Sequence, residues 1–390
     1  MVKKICVFTG GRAEYGLLKP LLGEIDIDHS LELKLLVSGM HLSSEFGLTY
    51  KKIEDDGFVC DEKVEIILSS DTPVSICKSM GLGMIGFSEA LERIKPDIFV
   101  ILGDRFESMV AATAALVCRI PVAHIQGGEL TLGAIDDQFR HAITKMSLLH
   151  FVTTDEYQKR VIQLGEDPNC VFNFGAINVD AMKKIHPLSK SELEKQINFS
   201  LGPRTILVTF HPVTLENGTS GNYFSQLLKA IDEIGGLKVI FTKTNADTDG
   251  RIINDLIDLY VERNPKNTVA FTSLGQMKYI STLHYISAVV GNSSSGIIET
   301  PTFKVPTVNI GDREKGRVLA SNVITCKQSI KAIRSAIEKV LSGEFKDSIK
   351  DMINPYDRGE TAKNIAKTLR EYEIPSTTKK EFHDLSLNLW

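Results

Sequence analysis

Short, continuous apolar runs alternate along the whole chain with stretches in which apolar residues recur at helical spacing. In the first half the apolar runs predict seven strands, and segments such as 15–24 and 137–147 predict helices between them. Because most of the runs are continuous, they are typical of parallel strands covered on both faces. The predicted strands are 5–9, 31–37, 64–68, 98–102, 122–125, 150–153 and 171–174.

The second half repeats this pattern. Residues 224–234 and 252–263 predict helices between strands, and a further helical pattern covers residues 361–372. The regular alternation of strands and helices predicts the α/β class, with two doubly wound parallel sheets. The predicted strands of this half are 205–210, 238–242, 269–271, 288–290, 307–310 and 323–325.

A domain boundary is predicted in the polar stretch 182–203, which contains Pro187 and Pro203. A chain of 390 residues suits two domains of roughly 100–200 residues each. The chemistry-bearing motifs described below follow predicted strands in both halves. We expect an N-terminal Rossmann-like domain over 1–181, a C-terminal Rossmann-like domain over 182–373 whose last helix can cross back, and a loosely ordered polar tail over 374–390.

Composition narrows the classes of partner. The formal net charge is −4 and there is no long basic run, which argues against nucleic acid or an anionic membrane as the main partner. No apolar stretch approaches the roughly 20 residues that a membrane span needs, and no signal segment is visible, so a cytoplasmic location is expected. The six cysteines include no C-x-x-C pair, which predicts buried free thiols and no zinc site.

A glycine-rich turn, TGGRAEYG at residues 9–16, follows the first predicted strand. Glycines let the backbone approach a ligand, and a helix N-terminus favours anions, while Arg12 could add a guanidinium to a phosphate. The turn matches neither G-x-G-x-x-G nor the Walker A sequence, so dinucleotide or ATP binding is poorly supported. An ordinary tight strand-to-helix turn would leave the same pattern.

Carboxylates and arginines follow the next strands. The carboxyl ends of parallel strands meet at one edge of a sheet, so these side chains are expected to lie together. Clustered carboxylates raise one another's pKa, which suits general acid–base catalysis. An ion pair within Asp104-Arg105, or a helix cap by one aspartate, would explain part of the pattern without catalysis. The residues concerned are Asp104, Arg105, Glu129, Asp136, Asp137 and Arg140.

The second half carries its own polar motifs at predicted strand ends. His211 follows the strand 205–210 and Asn245 follows the strand 238–242, although a lone histidine is more often structural than catalytic. The run GNSSSGIIE at 291–299 places small hydroxyl residues before a helix, where backbone N–H groups can bind a diphosphate. A serine-capped helix is the alternative. Arg313 and Arg317 could supply further phosphate contacts.

Taken together, these motifs resemble those of the hydrolysing UDP-N-acetylglucosamine 2-epimerases of sialic acid biosynthesis, the NeuC-like enzymes. They run in order from the first strand to beyond residue 310, so the resemblance covers nearly the whole chain. The matching motifs are GGRAEYG (10–16), GDR (103–105), HIQGGE (124–129), IDDQFRHAITKMS (135–147), FHPVTLE (210–216), NAD (245–247), GNSSSGIIE (291–299) and NIGDREKGR (309–317).

The resemblance implies a GT-B architecture, with two Rossmann-like domains facing across a cleft, the catalytic side in the first and the nucleotide site in the second. It also implies a homodimer and no cofactor or metal. Ser293, Ser294, Arg12 and Arg317 would hold the diphosphate, and Glu299 the ribose. Asp104, Glu129, Asp136 and His211 would surround the sugar, ordered by Arg105 and Arg140. Further substrate contacts are expected from Gln126, Asp137, Asn245, Asn292 and Ser295.

The reaction implied by the resemblance removes the C2 proton and expels the nucleoside diphosphate, which leaves a 2-acetamidoglycal. Water then adds with inverted C2 stereochemistry and the free manno-configured sugar is released. Gln126 stands where some related epimerases have glutamate, and an amide cannot act as a proton-transfer base. That role would then fall to Glu129, Asp104 or an aspartate at 136 or 137, or the change tracks a different sugar.

Three alternatives stay open at this point. UDP-N-acetylglucosamine is the first expected substrate, and UDP- or GDP-linked 2,4-diacetamido-2,4,6-trideoxyglucose, on the way to legionaminic acid, is the second. A GT-B glycosyltransferase would share the phosphate motifs but need an acceptor site. A non-catalytic nucleotide-sugar sensor would bind without turnover, and the carboxylate set argues against both of these classes.

Overall fold

The computed structural model describes residues 2–68, 70, 72–132, 135–212, 218–244 and 250–385. The chain forms two compact α/β units. The predicted α/β class with two parallel sheets is confirmed. The first unit comprises Met1–Glu129, Asp136–Asp180 and Tyr356–Trp390, and the second comprises Leu130–Ile135 and Ala181–Pro355.

The first unit is built on a seven-stranded sheet. Its strands are β1 (Lys3–Thr9), β2 (Leu31–Ser38), β3 (Glu62–Val64), β4 (Ile98–Leu102), β5 (Val122–Ile125), β6 (Leu149–Val152) and β7 (Val171–Asn173). They pair in parallel in the order β3-β2-β1-β4-β5-β6-β7. The direction of winding therefore reverses between β1 and β4, and ligands of such sheets bind beyond the carboxyl ends of strands at this switch point.

Helices cover both faces of this sheet. They are α1 (Arg12–Asp26), α2 (Tyr50–Asp55), α3 (Pro73–Ile94), α4 (Phe106–Val117), α5 (Asp136–Met146), α6 (Asp155–Gln163) and, near the C-terminus, α15 (Thr361–Glu371), while α7 (Ile177–Lys183) leads into the second unit. In β1, Ile5 and Val7 pack with α1 and α15, whereas Cys6 and Phe8 pack with α3 and α4. Burial on both faces explains why the strand reads as a continuous apolar run.

The second unit has a six-stranded sheet. Its strands are β8 (Thr205–Thr209), β9 (Lys238–Thr242), β10 (Thr268–Phe271), β11 (Ala288–Gly291), β12 (Thr307–Ile310) and β13 (Val323–Cys326). They pair in parallel in the order β10-β9-β8-β11-β12-β13, with the reversal between β8 and β11. The helices are α8 (Lys190–Ile197), α9 (Ser220–Ile234), α10 (Gly250–Arg263), α11 (Gly275–Tyr285), α12 (Ser295–Ile298), α13 (Ile330–Leu341) and α14 (Gly343–Ser348).

The predicted strands are all present, but one is displaced. A strand was predicted over 64–68, whereas β3 ends at Val64 and is paired with β2 for three residues only. Ile66 is buried in the core beyond that pairing. The apolar run therefore marks burial at this sheet edge rather than backbone pairing.

The last helix, which the sequence analysis allowed to cross back from the domain predicted over 182–373, lies in the first unit. In α15, Ala362, Ile365 and Leu369 are buried with the core around α1. Lys3 Nζ donates to the carbonyl oxygens of Leu369, at 2.8 Å, and of Tyr372, at 2.6 Å. The second unit ends at Pro355, because the apolar face of this amphipathic helix covers the first sheet.

The described part of the polar tail is held by the first unit, although it was expected to be loosely ordered. Lys380 forms an ion pair with Glu166, at 2.5 Å, and donates to the carbonyl oxygen of Ser147, at 2.8 Å. The backbone N–H of His383 donates to the carbonyl oxygen of Gly165, at 3.0 Å. Residues 386–390 lie outside the described part.

The cysteines are all free thiols, but they are not all buried as predicted. Cys6 is buried, whereas Cys77 and Cys118 are exposed. Cys77 lies on the outward side of α3, and Cys118 follows the end of α4, so an apolar sequence neighbourhood does not place these thiols in the core. Among the described helices, none is long and apolar enough to cross a membrane.

Candidate active site

Arg140 contacts two aspartate carboxylates and the backbone of Glu129 in the first unit. Its buried guanidinium, on α5, forms an ion pair through Nη2 with the carboxylate of Asp104, which follows β4. Its Nη1 donates to the carbonyl oxygen of Glu129, at 2.9 Å, and lies 4.0 Å from Oδ1 of Asp137. The structure therefore brings together four of the residues that the sequence analysis singled out.

Glu129 is held by a close-packed turn after β5. Its carboxylate is buried and accepts a hydrogen bond from the hydroxyl of Thr153, at 2.9 Å. At Gly128, which has a φ of 78°, an added Cβ would lie 2.7 Å from the carbonyl oxygen of Tyr157. Glycine at this position is what allows the turn to sit against α6 and present Glu129.

The start of α5 adds an aspartate–histidine pair. Asp136 is the first residue of the helix and is half-buried, while Asp137 is buried. Oδ2 of Asp137 lies 3.7 Å from Nε2 of His141, one turn later. Burial lowers the pKa of His141, and Asp137 partly opposes that shift. A helix N-terminus also favours negative side chains in its first turn.

The glycine-rich turn at residues 9–16 follows β1, and the GDR loop at residues 103–105 follows β4, which is paired with β1. Arg12 is the first residue of α1 and is exposed. Arg105 precedes α4, and its Nε lies 3.3 Å from Oε2 of the buried Glu107. Neither Glu107 nor Glu14, which is buried beneath the same turn, was singled out from the sequence. The sequence feature that could have identified them is a glutamate at a position of each helix that faces the core.

His124 also escaped the sequence analysis as a site residue. It is buried on β5, with Nε2 2.8 Å from the carbonyl oxygen of Gly103 and Nδ1 3.1 Å from the hydroxyl of Thr144. Burial lowers the pKa of His124 to about 3, so the imidazole is neutral and ties the GDR loop to β5. Gln126, two residues on, has a φ of 67° and donates its N–H to the carbonyl oxygen of Phe151, at 2.8 Å.

In the second unit, Asn292 organises the strand ends at the switch point. Its Oδ1 accepts the backbone N–H of His211, at 2.6 Å, and its Nδ2 donates to the carbonyl oxygen of His211, at 2.8 Å. The predicted His211 is half-buried at the end of β8, beside the end of β11. Asn245 and residues 213–217 lie outside the described part of the chain.

The serine run after β11 forms a compact loop. The hydroxyls of Ser293 and Ser295 lie 3.0 Å apart, and Ser294 precedes the single turn of α12. Glu299 ends this helix, because Pro301 follows closely and disfavours continuation. Burial raises the pKa of Tyr279, and the negative charge of Glu299 adds to this shift.

Two arginines are locked to one buried glutamate behind this loop. Arg317 Nε lies 2.5 Å from Oε2 of Glu314, and Arg313 forms an ion pair with the other oxygen. Arg313 also donates to the carbonyl oxygen of Asn292, at 3.1 Å. Arg317 Nη2 lies 3.2 Å from the hydroxyl of Thr131. Both guanidinium groups are therefore held in place before any anion arrives.

Comparison with known proteins identifies the family. The sequence profile of the UDP-N-acetylglucosamine 2-epimerase family matches residues 23–370, most of the chain. The chain belongs to this family. The family resemblance predicted from the motifs is thereby confirmed.

Relatives in this family differ in the sugar that their names carry. The chain is 44% identical over 384 residues to the GDP/UDP-N,N'-diacetylbacillosamine 2-epimerase (hydrolyzing) of Campylobacter jejuni, covering 98% of this chain and 99% of the relative. It is 36% identical to the polysialic acid biosynthesis protein P7 of Escherichia coli, covering 98% of each. It is 31% identical to a UDP-N-acetylglucosamine 2-epimerase of Neisseria meningitidis, covering 99% of this chain and 100% of the relative.

Solved structures share the fold at low sequence identity. The UDP-GlcNAc 2-epimerase of N. meningitidis bound to UDP-GlcNAc superposes with a TM-score of 0.80 at 19% identity, covering 95% of this chain and 100% of that chain. The enzyme of Methanocaldococcus jannaschii in complex with UDP-GlcNAc and UDP superposes with a TM-score of 0.77 at 18% identity, covering 94% and 99%. The GT-B type of fold expected from the sequence is confirmed.

The described residues show no group of three or more histidine, cysteine, aspartate or glutamate side chains placed to hold a metal ion. Two carboxylates that follow β4 are paired with arginine. Asp104 is paired with Arg140, and Glu107 with Arg105. The chemistry that this arrangement offers is proton transfer by carboxyl groups beside fixed guanidinium charge.

Proposed function

We propose that this protein is a hydrolysing 2-epimerase of a nucleotide-linked 2-acetamido sugar. The observation that carries the proposal is the buried guanidinium of Arg140, which gathers Asp104, Glu129 and Asp137 at the carboxyl edge of the first sheet. Proton removal from C2, and proton return to its other face, each need a positioned acid–base group. Asp104 and Glu129 supply such groups, with Asp136 and His211 as further contacts to the sugar.

In the proposed reaction an enzyme carboxylate takes the C2 proton, and the electrons of that bond form a C1–C2 double bond. The C1–O bond breaks, and its electrons leave with the nucleoside diphosphate. Water then adds its oxygen to C1 and loses one proton to an enzyme carboxylate, while the electrons of the double bond take up a proton at C2 from the opposite face. The sum is nucleotide sugar plus water giving the free 2-epimeric sugar and the nucleoside diphosphate.

The second unit is proposed to hold the leaving group. The loop of Ser293, Ser294 and Ser295 offers hydroxyls and backbone N–H groups, and Asn292, which precedes it, is hydrogen-bonded to the backbone of His211. Arg317 is pre-set by Glu314, and a fixed cation stabilises charge that develops on a departing diphosphate. Arg12 is proposed as a further phosphate contact, Glu299 as the acceptor of ribose hydroxyls, and Gln126 and Asn245 as sugar-side contacts.

For the sugar, we place the N,N'-diacetylbacillosamine nucleotides first and UDP-N-acetylglucosamine second. The relative at 44% identity carries the former in its name, as does a Legionella pneumophila relative at 31%. The N. meningitidis relative at 31% supports the latter. The order expected from the motifs alone is thus reversed. A homodimeric, cytoplasmic enzyme is also part of the proposal, and light scattering after size-exclusion chromatography tests the dimer.

Proton NMR in D2O tests the proposed function. Purified protein is incubated with UDP- or GDP-N,N'-diacetylbacillosamine, or with UDP-N-acetylglucosamine. A free manno-configured sugar with deuterium at C2, together with the free nucleoside diphosphate, is the expected outcome for at least one of them. Hydrolysis with the original C2 proton retained would show a plain nucleotide-sugar hydrolase, and binding without turnover would show a sensor.

Nucleoside diphosphate binding gives an assay that is independent of turnover. UDP or GDP at about 100 times its Kd should stabilise the folded protein by about 2.7 kcal/mol, or roughly 5–10 °C in Tm. Ser293→Ala should reduce that shift, because it removes a hydroxyl from the proposed diphosphate loop. Ser329→Ala is the matched control, since it alters an exposed serine that also precedes a helix of the second unit. Equal shifts in both variants would remove the serine loop from the nucleotide site.

A further inference from the structure

Two buried glutamates lie against the glycine turn that follows β1. Glu14, on α1, accepts the backbone N–H of Gly10 through Oε2, at 2.7 Å. A Cβ added at Gly10 would lie 3.4 Å from that oxygen and 3.4 Å from Cβ of Glu107, on α4. Oε1 of Glu107 would lie 3.1 Å from a Cβ added at Gly39. Both carboxyl groups are therefore packed beneath the same turn.

The charges around these two glutamates do not balance if both are ionised. Glu107 Oε2 is paired with Arg105 Nε, at 3.3 Å. Oε1 of Glu14 and Oε1 of Glu107 are buried without a hydrogen-bond partner among the described residues. A buried anionic oxygen without a donor is costly, and two adjacent carboxylates disfavour each other's ionisation. A proton on one of the two carboxyl groups would remove one of these buried charges.

The neighbouring elements supply little else to neutralise the pair. The loop before α4 contributes Arg105 and the negative Asp104. The segment after β2 contributes His41, whose pKa is lowered to about 4 by burial, so that its imidazole is neutral. On α1 the other charged group near the turn, Arg12, is exposed. Burial first, and then the charge of Glu107, raises the pKa of Glu14 to about 7.

We propose that Glu14 and Glu107 act as one acid pair that carries a single proton, and that this pair positions Arg105 and the Gly10 turn for turnover. The inference rests on the proposed function for its kinetic consequence only. Glu107 holds the guanidinium of Arg105, while protonated Glu14 still accepts the Gly10 N–H through Oε2. Loss of the proton would leave adjacent buried charges and move the turn. Both glutamates are positioning residues, since neither is assigned to the substrate.

The kinetic test is the pH profile of kcat/KM. In the wild type, activity should fall by about tenfold per pH unit above about 7, because the pair then loses its proton. Glu14→Gln mimics the protonated carboxyl, so it should retain wild-type activity at about pH 6.5 and lack this alkaline fall. Glu107→Gln should be impaired at every pH, because Arg105 loses its carboxylate. Glu92→Gln, on the exposed side of α3, is the control and should follow the wild type.

A stability test needs no substrate. The folded-state pKa of Glu14 lies above its usual value of 4.5, so its contribution to stability is present at low pH and is lost as pH rises through about 7. The Tm of Glu14→Gln relative to wild type should therefore increase between about pH 5 and pH 8. A constant difference in Tm, together with an unchanged alkaline fall in activity, would overturn the proposal that the pair carries a proton.

The two proposals fail in different ways. If no nucleotide sugar is turned over, the proposed function fails. The Tm measurements between about pH 5 and pH 8 still test the acid pair. If Glu14→Gln does not fold, wild-type protein labelled with 13C at glutamate Cδ replaces it. One carboxyl resonance should then titrate near pH 7, and its absence would overturn the inference.

Discussion

Glu129→Gln should lower kcat by about 10²–10⁴-fold while the protein stays folded, as expected when an acid–base group is lost. The Glu129 carboxylate is buried and accepts a hydrogen bond from Thr153, at 2.9 Å. A glutamine has the same shape and keeps an oxygen for that hydroxyl, but it cannot take or give a proton. Release of nucleoside diphosphate measures kcat, and circular dichroism and Tm report the fold.

The control for this variant is Glu156→Gln. Glu156 is an exposed glutamate on α6, and its removal should change kcat by less than about twofold, because an exposed ion pair contributes little. A well-folded Glu129→Gln protein with near-normal kcat would take Glu129 out of the mechanism. The kcat of Asp104→Asn is expected to fall in the same range. This variant should also lose stability, because its partner Arg140 keeps a buried charge.

The roles of Glu129 and Asp104 can be distinguished by supplying the 2-acetamidoglycal as the substrate. A variant that lacks only the C2 base fails on the nucleotide sugar but still hydrates the glycal. A variant that lacks only the acid of the second step releases glycal from the nucleotide sugar. Opposite behaviour of Glu129→Gln and Asp104→Asn would assign one residue to each step. Identical behaviour would show that they act as a unit.

The second large effect is expected at the end of β11. Gly291 has a φ of 147°, and a Cβ added there would lie 1.8 Å from the carbonyl oxygen of Thr209 on β8. Gly291→Ala should therefore destabilise the second unit by about 3 kcal/mol or more, through overpacking and backbone strain. For a unit of this size that is a fall in Tm of roughly 6–12 °C. The displaced backbone should also weaken the shift caused by UDP or GDP, since Asn292 and the serine loop follow directly.

Gly343→Ala provides the matched control for this substitution. A Cβ at Gly343, in α14, meets nothing within 4 Å. Its stability should change by no more than about 0.5 kcal/mol. Differential scanning calorimetry of both variants, with and without nucleotide, makes the comparison. Equal Tm values would mean that β8 and β11 can separate at Gly291 without cost.

The sequence was most informative where local physics decides the outcome. Runs such as 98–102, 122–125, 238–242 and 307–310 match the observed strands, because strands covered on both faces are mostly apolar. The placement of Asp104 and Glu129 at one sheet edge followed from the parallel direction of their strands. The loop at Ser293 was also placed correctly after its strand and before a short helix.

The sequence by itself determined the fold class, the strand segments and the edge on which the polar motifs lie, since these depend on periodicity and chain direction. Only the tertiary structure decided that α15 packs in the first unit, because the apolar face of an amphipathic helix does not specify which sheet it covers. The same holds for the packing of Glu14 and Glu107 against the Gly10 turn, and for the hydrogen bond between His124 and Gly103. These contacts join residues far apart in the chain, and their pKa values depend on burial, which exists only once the sheets and helices have assembled.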